Sequence, residues 1–203
     1  MIGTLLRGGL LALATTLPVL AHDEDTTQTQ TGRSPWHMAS FAEYGSQDIA
    51  FGDGSFTRDA DVQLSGFSAT LFYGDELKFG PYLGFLTQIL TTTTGAQYGG
   101  RLYRYGGEVK ETQESLGLFG RLYFDTGSLK TLDSSQRRLE YSGLNAALGA
   151  RRHLKIGGTE GFVEVYANAY TGSGNALYPG VMSSTTDYDG SSLGFAFGYE
   201  VTL

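Results

Sequence analysis

Residues 193 to 203, LGFAFGYEVTL, alternate without a break. Leu193, Phe195, Phe197, Tyr199, Val201 and Leu203 fall on one face of an extended chain, and Gly194, Ala196, Gly198, Glu200 and Thr202 on the other, because successive strand side chains point to opposite sides. The same two-residue period recurs upstream. It predicts strands at 36–45, 62–74, 77–90, 114–125, 137–154 and 162–172, with a weaker one near 176–184. Acidic or glycine-rich breaks separate them, and Gly74-Asp75-Glu76 marks a tight hairpin between two of the longest. From Trp36 onward no window carries the 3.6-residue period of a helix. The pattern is all-β and antiparallel, with about eight strands.

Strand length and face chemistry narrow the choice between a soluble sandwich and a membrane barrel. Several runs reach ten residues or more, enough to cross a bilayer at a tilt and longer than most soluble strands. The face opposite the large apolar residues is rich in Gly, Ala, Ser and Asn. A water-facing sheet would carry more Lys and Glu there; small residues suit a narrow lumen instead. Composition agrees: 30 glycines, 13% aromatic residues and only 4 prolines in 203 residues argue against disorder and against a helical bundle.

The N-terminal segment MIGTLLRGGLLALATTLPVLA places Arg7 ahead of an apolar run and ends on Val19-Leu20-Ala21. This is the layout of a secretory signal peptide, residues 1–21, with cleavage expected after Ala21. Residues 22–35 are acidic and rich in Thr and Gln, and read as a flexible leader. The barrel is expected over 36–203. Cysteine is absent, which excludes disulfides, thiolate chemistry and cysteine-held metals. His22, His37 and His153 are too scattered for a metal site, so neither metal nor cofactor is expected. The net charge of −7 gives nucleic acid no basic surface.

The face assignment turns six charges inward: Glu43, Lys78, Arg121, Arg151, Glu164 and Glu200. Three are positive and three negative, so ion pairs are expected to fill the lumen. With eight alternating strands, Lys78, Arg121 and Glu200 are expected near the periplasmic end, and Glu43, Arg151 and Glu164 near the outer end.

The export signal, the alternating strands, the lack of cysteine and the closing positions Phe195, Phe197, Tyr199, Val201 and Leu203 resemble the small Gram-negative outer-membrane β-barrels of the outer-membrane protein A and adhesin/invasin type. That resemblance covers about residues 36–203 and implies a transmembrane up-and-down barrel in the outer membrane. It also implies contact with outer-membrane lipid and lipopolysaccharide, and insertion by the barrel-assembly machinery, which reads alternate apolar residues of the last strand. Those barrels most often end in phenylalanine, whereas this chain has Leu203.

Residues 91–112 are expected as an external loop, where Tyr98, Arg101, Tyr103, Arg104 and Tyr105 could contact a surface ligand or lipopolysaccharide phosphates. The alternative is that the tyrosines belong to an interfacial girdle and the arginines complement the anionic outer leaflet. Segment 125–136 is expected on the periplasmic side. The function expected is structural or surface-interacting, with a host or surface ligand unidentified. Two alternatives stand beside it. A lipid A-modifying enzyme would use His153 as base, with Ser191, Ser192, Asp187 and Asp189 approaching from the last external loop. A small pore would need a wider lumen than about eight strands leave open.

Overall fold

A computed structural model describes residues 34–52, 57–112, 116–132, 137–156, 159–177 and 184–203. The expected signal peptide and the leader up to residue 33 lie outside the described residues. Eight strands follow in chain order: β1 Trp36–Gly52, β2 Thr57–Tyr73, β3 Leu77–Thr92, β4 Gln97–Glu111, β5 Leu116–Thr131, β6 Arg138–Ile156, β7 Thr159–Leu177 and β8 Ser184–Thr202. Each pairs antiparallel with its sequence neighbours, and β8 closes on β1 from His37↔Thr202 to Gly52↔Asp187. Full closure leaves no sheet edge.

One end of the barrel holds the start of β1 and the end of β8, and there β2 turns into β3 through 74–76, β4 passes to β5 and β6 to β7; we call it the near end. Gly74 makes the first of these turns at φ +116°, a conformation that side chains resist. Its N–H donates to Pro35 O at 3.0 Å. At the far end β1 passes to β2, β3 to β4 through 93–96, β5 to β6 and β7 to β8.

The exterior is divided by depth. From the near end upward, outward positions are apolar: Leu77, Phe79, Leu83 and Phe85 on β3, Leu116, Leu118, Leu122 and Phe124 on β5, and the alternate residues from Leu193 to Leu203 on β8. Phe67 is 74% and Leu193 70% exposed, so no part of the described protein covers this belt. Its height matches the roughly nine to eleven residues of a tilted transmembrane strand. Rings pair along it, as in Trp36 with Tyr73 at 5.1 Å and Phe85 with Tyr103 at 5.3 Å. Beyond the belt the strands continue toward the far end with polar outward residues, among them Gln63, Ser65, Thr87, Ser128, Lys130, Glu140 and Asn175.

The interior differs from the expected lining of small residues. Phe41, Phe72, Tyr82, Phe119, Tyr123, Phe162 and Tyr166 are buried inside the near and middle levels. At the far level Val62, Leu64, Leu86, Leu90, Leu102, Leu129, Tyr170 and Tyr188 form a second cluster. Glycines make room for these rings. A side chain at Gly149 would stand 2.6 Å from Phe119 Cζ and 2.7 Å from Tyr166 Cβ, so small and large inward residues interlock across strands.

Two expectations about elements are overturned. Residues 97–111 are not an external loop but strand β4, paired with β3 from Leu77↔Glu111 to Thr91↔Gln97 and with β5 from Tyr98↔Thr131 to Lys110↔Phe119. The strand expected near 176–184 is not a separate member of the closed sheet among the described residues: residues 176 and 177 end β7, Ser184 begins β8, and those two strands pair directly. Residues 178–183 lie outside the described residues. The total of eight survives, but every strand from 116 to 177 runs opposite to the expected direction. Residues 125–131 therefore rise to the far end and Arg151, His153 and Glu164 sit at the near end.

Candidate functional site: the lumen and the far-end wall

β4 delivers three ionised groups to the lumen, Arg104, Glu108 and Lys110, because even-numbered residues on this strand face inward. With Asp125 from β5 they join Glu43, Lys78, Arg121, Arg151, Glu164 and Glu200. All ten are buried. Five are cations and five are carboxylates, so the lumen is neutral as built.

At the near level Glu108 and Glu164 share two arginines. Arg121 donates from Nε to Glu108 Oε2 at 2.8 Å and from Nη2 to Glu164 Oε2 at 2.6 Å. Arg151 bonds Glu164 on the neighbouring strand, Glu108 Oε1 at 2.9 Å and Glu200 Oε2 at 3.2 Å. Glu200 also receives Lys78 Nζ at 2.8 Å, and Lys110. Thr70 donates to Glu108 Oε2 at 2.9 Å. Aromatic faces complete the cage. Arg121 lies 4.4 Å from the Phe119 centroid and Arg151 4.1 Å from that of Phe162, geometry at which a ring face attracts a cation.

At the middle level Arg104 bridges Glu43 Oε2 at 3.0 Å and Asp125 Oδ1 at 3.2 Å. Tyr82 and Tyr166 donate to Glu43 at 2.6 and 3.1 Å. Above these, the apolar far-level cluster caps the polar column. Such multidentate pairing is what makes burial of ten charges tolerable, since an unmatched charge in this setting is expensive.

Of the six expected lumen charges, Lys78, Arg121, Arg151, Glu164 and Glu200 are brought together, and Glu43 sits one level higher. The expected depths of Arg151 and Glu164 are overturned: they share the near level with Lys78, Arg121 and Glu200, because β6 and β7 run the other way. Four further lumen charges lie outside the expected six: Arg104, Glu108 and Lys110 on β4, and Asp125 on β5 at the last residue of the strand expected over 114–125. Their alternation with Val109, Tyr105 and Tyr103 was the signal available.

The expected external-loop residues separate by side. Tyr98 packs against the far-level cluster inside. Tyr103 and Tyr105 face outward in the belt, Tyr105 stacked on Phe124 at 5.9 Å. Arg104 is in the lumen, and only Arg101 faces outward beyond the belt. His153 lies at the near end, its ring 6.4 Å from that of Phe162. Its partner on β7 is Phe162, whereas Ser192 stands opposite Asn168. At about 3.3 Å per residue that is about 20 Å along the barrel. The proposed base and its serines are therefore not brought together.

The outer wall beyond the belt carries a cleft of about 830 Å³, lined by residues of β4 to β7 including Arg101, Lys130, Arg138 and Glu140. A second hollow of about 460 Å³ adjoins it, reaching Phe124 and Leu144.

Comparison with protein-family models finds no match, and comparison with curated protein sequences finds none. Solved structures do match. The outer membrane protein OprG from Pseudomonas aeruginosa aligns over 84% of this chain and 98% of its own, at 14% identity and a TM-score of 0.50. The chain has the fold of a small outer-membrane β-barrel. AlkL, whose structure was solved in lipid bilayers, aligns over 90% of this chain and 98% of its own at 12% identity and a TM-score of 0.48. The attachment invasion locus protein Ail of Yersinia pestis aligns over 81% and 99% at 9% identity and 0.47. With its uncovered apolar belt, this barrel is a transmembrane one, and its lumen is filled by side chains throughout the described levels.

Proposed function

We propose that the protein is an integral outer-membrane barrel with a sealed lumen, serving as a lipid-anchored scaffold whose far end works at the cell surface. The observation that carries this reading is the pairing of a continuous apolar exterior with a neutral, fully bonded charge network inside. The first anchors the protein in hydrocarbon, and the second closes the passage through it while holding the wall rigid. The near end faces the periplasm, in keeping with its short connections, and the strand extension at the far end stands clear of the bilayer core.

Export uses residues 1–21 as a cleaved signal, and the barrel-assembly machinery engages β8 through Phe195, Phe197, Tyr199, Val201 and Leu203. The belt contacts outer-membrane lipid, and Arg101 with its neighbours faces the lipopolysaccharide layer. The ten lumen charges serve structure: they set which strands neighbour which across the interior. Cell fractionation with unboiled and boiled electrophoresis tests the proposal. A band in the outer-membrane fraction that shifts in mobility on boiling is expected; a periplasmic protein of heat-independent mobility would overturn it.

A further inference from the structure

The outward positions just beyond the belt on β4, β5 and β6 gather cations. Lys130 stands directly opposite Arg138, and Arg101 opposite Ser128, two residues from Lys130 on the same face. Directly opposed side chains have Cβ atoms about 5 Å apart, and like charges at that spacing repel. Glu140 takes Arg138 at 2.7 Å, and Arg138 also donates to Ser128 Oγ at 3.2 Å. One carboxylate thus faces three cations. This excess occurs in a chain of net charge −7; elsewhere at the same end the outward charges include Asp61, and Asp187 lines the far side of the adjoining hollow, away from the three cations.

We infer that this cleft binds the phosphorylated headgroup of an outer-leaflet lipid, with Arg101, Lys130 and Arg138 as its phosphate ligands. Charge complementarity selects a multiply anionic group, and arginine supplies paired donors that suit phosphate oxygens. The position selects a lipid over free phosphate. The basic cleft runs into the second hollow through the shared residues Ser142 and Ser173, and that hollow ends on Phe124 and Leu144 at the top of the belt. A molecule with phosphates at one end and acyl chains at the other spans both. Bound phosphate also relieves the Lys130–Arg138 repulsion.

The inference rests on the outer-membrane reading above, so its test is made on folded protein in nanodiscs, with heat-modifiable mobility recorded separately. Native mass spectrometry would measure retention of bisphosphorylated lipid A, of enzymatically dephosphorylated lipid A and of phosphatidylglycerol. Wild type should retain the bisphosphorylated lipid selectively. Arg101→Gln, Lys130→Gln and Arg138→Gln should each weaken retention about fivefold, and the three together about a hundredfold, with mobility unchanged because all three side chains are exposed. Displacement by inorganic phosphate alone at matched concentration would show a free-anion site and overturn the lipid assignment. Equal retention by wild type and triple variant, or equal retention of dephosphorylated lipid A, would overturn the site while leaving a heat-modifiable barrel intact.

Discussion

Arg104 on β4 donates across the lumen to Glu43 on β1 at 3.0 Å. The two strands are not neighbours in the closed sheet, so the bond spans the interior. Glu43 is simultaneously held by Tyr82 and Tyr166, and Arg104 by Asp125.

Removing either partner strands a buried charge, and Arg104→Ala or Glu43→Ala should each cost about 3–5 kcal/mol. The double variant should cost clearly less than the sum, since residues in one network do not add. Urea unfolding of the detergent-folded barrel measures this; strict additivity would show that the pair carries no coupling.

The strand directions give a labelling prediction that the native absence of cysteine makes simple. Thr94→Cys, in the far-end turn, should react with a membrane-impermeant maleimide on intact cells. Asp75→Cys, in the near-end turn, should react only after permeabilisation. Tyr105→Cys should stay unlabelled in both, because its side chain faces lipid; labelling on intact cells would restore the loop reading of 91–112.

Leu203 projects into the belt, 58% exposed, while its N–H donates to Trp36 O at 2.9 Å. Leu203→Phe should assemble at least as well as wild type, and Leu203→Asp should lower the heat-modifiable fraction. Equal yields would remove this position from the assembly reading.

Gly149 fits where no side chain can. A Cβ there would meet Val165 O at 2.6 Å as well as the Phe119 and Tyr166 side chains. Gly149→Ala should cost about 1–3 kcal/mol by overpacking, measured by urea unfolding. Gly107→Ala, whose nearest atom is 3.9 Å away, should be close to neutral.

Where outward residues are large and apolar and inward ones small, as along Leu193 to Leu203 of β8, the alternation alone located the strand. β4 escaped because its inward side carries Arg104, Glu108 and Lys110 and its outward side mixes Gly99, Arg101 and Gly107 with tyrosines, so polarity does not alternate along it. What alternates is burial, which depends on partners on β1, β5 and β8 that are distant in sequence. Glu43 finding Arg104 involves a separation of 61 residues, and Lys78 finding Glu200 one of 122. One strand missed and one added left the count at eight while inverting the middle of the topology. That inversion carried His153, Arg151 and Glu164 to the wrong end. The basic cleft was invisible for related reasons: Lys130 meets Arg138 only once β5 runs on past Asp125, and Arg101 joins them only once β4 exists.

Conductance across a planar bilayer tests the sealed lumen most directly. Folded wild-type protein, its insertion verified by heat-modifiable mobility of the recovered material, should give no steady current under applied voltage. A stable ohmic conductance from that same folded protein would contradict a lumen closed by Arg104, Arg121 and Arg151.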